Sequence, residues 1–174
     1  YLLTFGHSLT RVSLIDNREI ISYEEAISHF QEMLNLGFEG TILKSKSGAW
    51  KDDKPNWQVK MKLEMDVDLK VVGFNLGTGK NSKVISSFNA ESADGKVFTK
   101  PTGINEKTMR YITDNQDKLL GTIIEVKCCG LSNDSTGKFS LLHPVFKALR
   151  IGEKDVADSL EDIKKNEAMI KGLI

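Results

Sequence analysis

The sequence predicts an α+β fold in two units, and three observations support this prediction. A single amphipathic helix precedes two short alternating strands, and a run rich in β-forming residues begins after Lys62. The chain has 174 residues and is 40% hydrophobic, which suits one domain or two small ones with a real core. We expect the first unit to span residues 1–64, the second to span residues 65–150, and a terminal helix to lie within residues 151–174.

The helix of the first unit is predicted between Ser22 and Gly37. Ser22 is a candidate N-cap, Glu25 three residues later completes a capping box, and Gly37 is a natural C-cap. The apolar residues between them have the i, i+3, i+4 spacing of one buried face, namely Tyr23, Ala26, Ile27, Phe30, Met33 and Leu34. Before the helix, residues 3–16 have the pattern of extended segments, with a turn at 16–17.

Two short segments after the helix, Glu39–Lys44 and Val59–Lys62, alternate polar and apolar residues as half-buried strands do. In the second strand this alternation directs Lys60 and Lys62 to the same face. Two neighbouring ammonium groups repel each other, so this face is predicted to be wet and to attract a polyanion. A carboxylate on a neighbouring strand could hold a divalent metal that bridges to the same anion. The two segments therefore predict a site for the phosphates of a nucleotide.

The second unit is predicted to contain five strands and one helix. The strands are expected at residues 66–74, 84–90, 96–99, 121–129 and 140–149, and the helix at residues 105–120. Five strands with a helix between the third and the fourth is the order of an oligonucleotide-binding barrel, the OB fold. Residues 156–170 have the pattern of a terminal helix.

Charge and composition limit the class of protein. The formal net charge is zero, but residues 38–150 carry 18 Lys and Arg against 13 Asp and Glu. This basic middle suits a nucleic-acid backbone, and it equally suits lysines that only keep the surface soluble. No apolar run approaches the ~20 residues that cross a bilayer, so we expect no membrane association. The only cysteines, Cys128 and Cys129, are adjacent, which favours buried thiols in a reducing compartment.

Four motifs in order resemble the C-terminal half of ATP-dependent DNA ligases of the phage type, which are lysine nucleotidyltransferases. The motifs are Glu39-Gly40-Thr41-Ile42-Leu43-Lys44, similar to the fourth motif of the family; Lys60-Met61-Lys62, similar to the fifth; Asp66-Val67-Asp68, similar to the interdomain junction; and Pro144-Val145-Phe146-Lys147-Ala148-Leu149-Arg150, similar to the start of the sixth. The resemblance implies that residues 1–64 are the C-terminal part of a nucleotidyltransferase (ATP-grasp-like) domain. Residues 65–150 would be a five-stranded OB-fold β-barrel that binds DNA.

The resemblance also implies roles for individual residues. Glu39 matches the carboxylate that supports a divalent metal, Mg²⁺, near the nucleotide. Lys60 and Lys62 match the lysines that bind the nucleotide phosphate and stabilise charge during phosphoryl transfer. Asp66 matches the hinge about which the barrel swings. Arg150 matches a basic residue that contacts the ATP pyrophosphate, and Lys44 has no assigned role.

The segment Gly77-Thr78-Gly79-Lys80 invites comparison with a P-loop. It lacks the first glycine and the final hydroxyl residue of that motif, so we interpret it as a turn between two strands. Lys80 and Lys83 in this turn are candidate contacts to the DNA backbone.

The activity that the resemblance implies is the sealing of 5′-phosphate/3′-hydroxyl nicks in duplex DNA, in replication, repair and recombination. The reaction would use ATP and Mg²⁺ and pass through enzyme-adenylate and DNA-adenylate intermediates. The partners implied are ATP and nicked duplex DNA. We expect a monomer in the cytoplasm, which is the host cytoplasm if the protein is encoded by a phage.

The chain also departs from the family pattern. The Lys-x-Asp-Gly motif that carries the nucleophile is absent, and its nearest counterpart, Asp94-Gly95, has Ser92 where the lysine should be. Roughly sixty residues with one helix and two or three strands would also leave a sheet edge uncovered. We therefore expect an upstream segment or another chain to complete the first unit, and no self-adenylation by this chain alone. In the sixth motif, Val145 stands where a basic residue is common. Residues 152–154, Gly-Glu-Lys, match the Arg-x-Asp-Lys ending of the motif only imperfectly.

Two alternatives to a DNA ligase remain open. One is a related enzyme with a different acceptor, an RNA ligase or an mRNA capping guanylyltransferase. The other is a non-catalytic nucleic-acid-binding module built on the barrel. Such a module would bind DNA in a salt-sensitive way that does not depend on Glu39 or Lys60.

Overall fold

The computed structural model describes residues 17–135 and 137–172. The first unit contains helix α1 (Tyr23–Asn35) and strands β1 (Gly40–Lys44) and β2 (Gln58–Lys62). The second unit contains strands β3 (Met65–Leu76), β4 (Ile85–Glu91) and β5 (Phe98–Thr99), helices α2 (Glu106–Asp114) and α3 (Gln116–Leu119), and strands β6 (Ile123–Cys128), β7 (Leu131–Asn133), β8 (Phe139–Leu141) and β9 (Val145–Leu149). Helix α4 (Leu160–Ile170) follows. The extended segments expected at 3–16 lie outside the described residues, as does the start of the turn at 16–17.

Helix α1 begins and ends where the sequence predicts. The Ser22 hydroxyl accepts a hydrogen bond from the Glu25 amide at 3.2 Å, and the Glu25 carboxylate accepts one from the Ile21 amide at 2.9 Å. Gly37 ends the helix with φ +87°, a conformation that glycine adopts without strain. The predicted buried face is wrong at Tyr23, which is 74% exposed because it lies in the first turn, beyond the strands that α1 covers.

The five-stranded sheet has the order β5-β4-β3-β6-β9, with all neighbours antiparallel. Strand β3 is central, and its alternating residues Val67, Leu69 and Val71 are almost completely buried. This confirms the α+β class and the OB-type arrangement of five strands. The described strands form an open sheet rather than a closed barrel. Within the described residues, no ladder joins the end strands β5 and β9 to each other. An isolated bridge, Thr102–Val145, links the segment after β5 to β9, and a second one, Val97–Phe139, links the residue before β5 to β8.

Three predicted elements differ from those observed. The strand expected at 140–149 is divided into β8 and β9, because Pro144 cannot donate to a ladder and His143 before it has φ +49°. The helix expected at 105–120 is divided at Asn115, which leaves helical geometry (φ −127°). Helix α4 begins later than 156, at a capping box that Ser159 forms with Asp162.

The two units share one hydrophobic core. Leu34 of α1, Leu63 of the β2–β3 connection and Ile163 of α4 belong to the same buried cluster as the inner residues of β3. The side-chain amide of Asn166 in α4 also donates to the backbone carbonyl of Asp66 at 3.3 Å. Helix α4 therefore packs where the first unit meets the five-stranded sheet. None of the helices within the described residues is long and apolar enough to cross a bilayer.

Candidate functional site

The two-stranded sheet presents a face that carries both predicted lysines. Antiparallel pairing places Ile42 opposite Lys60 and Gly40 opposite Lys62. Residues that are directly opposite in a sheet share a face, so Lys60, Lys62 and Ile42 lie on the same side. Both lysines are exposed, and Ile42 is 50% exposed. We call this surface the lysine face. It combines two ammonium groups with an accessible apolar side chain.

Helix α1 packs against β1 on the opposite face of this sheet, and Val59 of β2 on that face is 53% exposed. The His29 Nδ1 atom and the Thr41 hydroxyl are 3.1 Å apart and share a hydrogen bond. Gly40 has φ +146°, and a Cβ atom there would collide with the Met61 carbonyl and lie 3.1 Å from the Phe30 ring. The glycine of the Glu-Gly pair thus permits close approach of β2 and α1 to β1. Among the described residues, α1 packs on one side of this sheet, and the lysine face is on the other side with both lysines exposed.

Glu39 lies at the edge of the lysine face, immediately before β1. Its carboxylate Oε2 is 3.9 Å from the Nζ atom of Lys62, and its side chain is 85% exposed. An ion pair with this distance and exposure contributes little to stability, so a ligand can separate Glu39 from Lys62. Within the described residues no three His, Cys, Asp or Glu side chains cluster as a metal site. The exposed carboxylate of Glu39 is a donor of the kind that Mg²⁺ takes, an ion that commonly binds one or two carboxylates plus substrate phosphates.

Asp66 lies at the start of β3, after the short connection 63–64 that joins the two units. Its carboxylate accepts a hydrogen bond from the Lys147 ammonium at 2.8 Å, and Lys147 also donates to Glu125 at 3.0 Å. These two carboxylates, Asp66 first, raise the pKa of Lys147. The structure thus places Asp66 at the junction that the sequence indicates. Its role as a hinge stays a prediction.

Arg150 does not lie on the lysine face. It follows β9 at the edge of the five-stranded sheet, and its guanidinium is surrounded by carboxylates. The Nε atom is 3.3 Å from Asp68 and 3.9 Å from Glu125, and Nη1 is 3.0 Å from Glu153. The Asp68 contact is the main cause of a raised pKa of Arg150. In this arrangement Arg150 is engaged by the protein's own anions.

Lys80 and Lys83 lie in the connection between β3 and β4, which confirms that the glycine-rich segment is a turn between strands. Both side chains are exposed, and the Nζ atom of Lys80 is 3.4 Å from the Glu106 carboxylate. The turn borders a shallow groove of about 260 Å³ lined by Lys80, Asn81, Val84, Glu106, Met109 and Arg110. Arg110 adds a cation that the sequence did not single out.

Sequence reasoning missed two features of these surfaces. The first is the exposure of Ile42, which follows from its position opposite Lys60 in the β1–β2 pairing. Strand register cannot be predicted from the residues next to Ile42 in the sequence. The second feature is a set of ion pairs that joins Asp66 to Arg150 through Lys147 and Glu125. A partial signal exists for it, because the acidic residues at 66 and 68 alternate with the apolar residues Met65, Val67 and Leu69 at the start of this strand.

The chain is homologous to DNA ligases. In an alignment of 183 positions that covers 98% of this chain, it is 30% identical to the DNA ligase of Enterobacteria phage T4. It matches the DNA ligase of Enterobacteria phage T6 to the same extent. DNA ligase 2 of Methanosarcina acetivorans is 30% identical over 96 residues, 49% of this chain and 16% of that protein. The chain spans only 37% of the length of the phage relatives. No protein-family model matches it.

Solved structures share the fold. The structure named Pmar-Lig_Pre has a TM-score of 0.65 and 25% identity, over 75% of this chain and 31% of that chain. A structure from a study of DNA binding with a minimal scaffold in Lig E DNA ligases has a TM-score of 0.62 and 23% identity, over 75% of this chain and 48% of that chain. These similarities agree with the sheet and helix arrangement described above.

Proposed function

We propose that this chain is the C-terminal part of an ATP-dependent DNA ligase that seals 5′-phosphate/3′-hydroxyl nicks in duplex DNA. The observation that carries the proposal is the lysine face, where Lys60 and Lys62 are exposed side by side with Glu39 at the edge. Homology to phage DNA ligases over 98% of the chain supports it.

The lysine face suits a nucleotide because it combines charge with an apolar contact. Residues two apart on a strand are about 7 Å apart, so Lys60 and Lys62 can approach different oxygens of one phosphate group. Charge that develops during in-line phosphoryl transfer is stabilised by cations that are already in place. Ile42, directly opposite Lys60, offers an apolar surface. In this proposal Lys60 and Lys62 bind the adenylate phosphate and stabilise the transferring group.

Glu39 is proposed to hold Mg²⁺ beside the phosphate. Its carboxylate is a hard oxygen donor at the edge of the lysine face, and its ion pair with Lys62 is long and exposed. When bound, the metal would neutralise phosphate charge.

DNA is proposed to contact the second unit at the β3–β4 turn. Lys80 and Lys83 are exposed there, and Arg110 lines the adjoining groove. Lysine contacts of this kind position a protein on the phosphate backbone without reading bases. Asp66 is proposed as the hinge between the units and Arg150 as a contact to the ATP pyrophosphate. We infer that the protein acts as a monomer in the cytoplasm.

The test supplies the part of the ligase that this chain does not span. The N-terminal portion of the phage T4 DNA ligase is joined to this chain, and sealing of nicked duplex DNA is measured with ATP and Mg²⁺. The fusion is expected to seal nicks, and Lys62→Ala is expected to lower the rate by about 100-fold or more, since oxyanion-type contacts have this magnitude. Lys54→Ala, a loop lysine, is the control and should keep the rate.

Three results would contradict the proposal. Normal sealing by Lys62→Ala would remove the role of the lysine face. Sealing of nicked RNA in preference to DNA would favour an RNA ligase. Salt-sensitive DNA binding without any sealing, unchanged in Glu39→Ala and Lys60→Ala, would indicate a non-catalytic binding module.

A further inference from the structure

Helix α4 contacts both units of the chain, and its N-terminal end is held by the second unit. The Asp158 amide donates to the Asp68 carbonyl at 2.8 Å, and the Asp68 amide donates to the Asp158 carboxylate at 2.8 Å. The Leu160 amide donates at 3.3 Å to the carboxylate of Asp94, which lies in the turn between β4 and β5. Hydrogen bonds from the backbone therefore join the start of α4 to β3 and to this turn.

The middle of α4 lies against the connection between the two units. The side-chain amide of Asn166 donates to the Asp66 carbonyl at 3.3 Å. Leu63 of this connection is only 3% exposed and belongs to the buried core cluster. At Gly130, an added Cβ atom would lie 2.9 Å from the Glu167 carboxylate and 3.2 Å from the Leu63 side chain. The connection therefore packs against α4 and the turn from β6 to β7.

The C-terminal end of α4 reaches the first unit through weaker contacts. Gly172, just after the helix, lies beside α1, because an added Cβ atom there would be 2.9 Å from Nε2 of Gln31. Ile170 is half-buried and packs against the cluster that contains Leu34 of α1. Within the described residues, no hydrogen bond or ion pair joins α4 to α1. The helix is therefore bound more firmly to the second unit than to the first.

We propose that α4 is a brace that keeps the two units in one orientation, and that its last turn must leave α1 before the units can reorient about Asp66. This inference rests on the proposed role of Asp66 as the hinge. Rotation there moves Leu63, and a packed core changes between discrete arrangements rather than deforming continuously. Because hydrogen bonds hold the start of α4 to β3, the helix stays with the second unit and separates at its C-terminal end.

The brace makes the opening of the junction depend on a few apolar contacts at the end of α4. Local opening breaks the least supported contacts first, and the contact of Ile170 is of this kind. A ligand that favours the reoriented arrangement must then supply the free energy of this separation through tighter binding. A helix that only adds to the core would instead open together with β3, when the whole chain unfolds.

Hydrogen–deuterium exchange of the 174-residue chain, followed by mass spectrometry, measures this opening. Ile170→Ser weakens the apolar contact, so the amides of residues 62–66 are expected to exchange at least about fivefold faster, the effect of losing one half-buried aliphatic side chain. Residues 67–71 of β3 should change by less than about twofold. Met169→Ser, on the same turn but at a residue that is 57% exposed, is the control and should leave exchange at residues 62–66 nearly unchanged.

A second variant keeps the test decisive if the first one unfolds. Asn166→Ala removes the hydrogen bond to the Asp66 carbonyl and introduces a strong helix former, so it should keep the fold. Exchange at residues 62–66 should rise by about twofold or more. Exchange at residues 168–172 should rise with it, because the coupling between two sites is reciprocal. Lys165→Ala, at the exposed neighbouring position, is the control for this variant.

The proposal is overturned if the folded variants exchange at residues 62–66 no faster than their controls. It is also overturned if β3 gains exchange to the same extent, because α4 would then only stabilise the fold. Neither measurement involves nick sealing. Unchanged exchange together with a fusion that seals nicks would reject only the brace, and faster exchange at the junction together with a fusion that does not seal would reject only the ligase assignment.

Discussion

The ammonium group of Lys62 lies 3.9 Å from the carboxylate of Glu39, across the start of the two-stranded sheet. The pairing follows from the fold, because Lys62 is directly opposite Gly40, the residue after Glu39. Both side chains are largely exposed, so solvent screens the pair and it adds little to stability. Because their contact contributes so little to stability, the Glu39 carboxylate and the Lys62 ammonium group can each bind a ligand instead.

Glu39→Gln should therefore separate function from stability. We expect its free energy of unfolding to stay within about 0.5 kcal/mol of the wild type, because an exposed pair contributes no more. Nick sealing by the fusion with the phage T4 segment should fall, since the carboxylate proposed to hold Mg²⁺ is lost. Urea unfolding and a sealing assay over a range of Mg²⁺ concentrations measure the two quantities.

Glu19→Gln is the matched control for this change. Glu19 is also exposed and pairs with a lysine, Lys46, at 2.8 Å, but it lies before α1 rather than on the lysine face. It should leave both stability and sealing unchanged. Equal losses of sealing in the two variants would contradict the role given to Glu39.

Gly40→Ala should destabilise the first unit by about 3 kcal/mol. A Cβ atom there would overlap the Met61 carbonyl and press on the Phe30 ring, and φ is +146°. Steric overlap and backbone strain each cost about 1–3 kcal/mol. Chemical denaturation monitored by circular dichroism measures the loss.

Gly95→Ala separates the two causes. Gly95 also has a positive φ, +66°, but a Cβ atom there meets nothing within 4 Å. Backbone strain alone predicts a loss of about 1–2 kcal/mol. If the two alanine variants lost equal stability, the close approach of β2 and α1 to Gly40 would not explain why glycine stands there.

Local signals explain what the sequence could predict. The Ser22 N-cap, the Gly37 C-cap and the alternation around Lys60 each involve residues a few positions apart, and all appear in the structure. The predicted capping box forms only in part, because the Glu25 carboxylate accepts from the Ile21 amide, one residue before the N-cap. The junction at Asp66 was recognisable because a β-rich run begins there.

The features that escaped prediction are non-local. Asp68 and Arg150 are 82 positions apart, and Asp68 and Lys154 are 86 apart. Their contacts depend on the pairing of β9 with β6, the neighbour of β3, and on the packing of the segment before α4 against β3. The exposure of Ile42 depends in the same way on strand register. The break at Pro144 is different, because a proline inside a predicted strand already argues against it.

Stability should fall in alkaline solution because of Cys128. Burial raises the pKa of this thiol from 9.0 to about 11 in the folded chain. In the unfolded chain the thiol loses its proton at lower pH, so the folded state holds more protons between about pH 9 and pH 11. The contribution is complete below pH 9 and is lost as the pH rises through this window.

Urea unfolding at a series of alkaline pH values measures this effect. Two pKa units correspond to about 3 kcal/mol at most. Cys128→Ala should be less stable at neutral pH, because it leaves a small cavity, but its stability should fall less steeply across the window. The same slope in both proteins would assign the alkaline loss to other groups.

The β3–β4 turn should contribute to DNA affinity through charge alone. Lys80 and Lys83 are exposed in this turn, beside the groove that Arg110 lines. Each lysine that neutralises a phosphate releases roughly one counterion, so replacing both with Gln should lower the slope of log K against log salt by about 2. Fluorescence anisotropy with a nicked duplex at several salt concentrations measures the slope.

The control is a double variant, Lys118→Gln with Lys165→Gln, on α3 and α4. It removes the same charge elsewhere on the exposed surface and should leave the slope nearly unchanged. An equal decrease of the slope in both double variants would mean that the chain attracts DNA by its overall charge. The turn would then have no special part in binding.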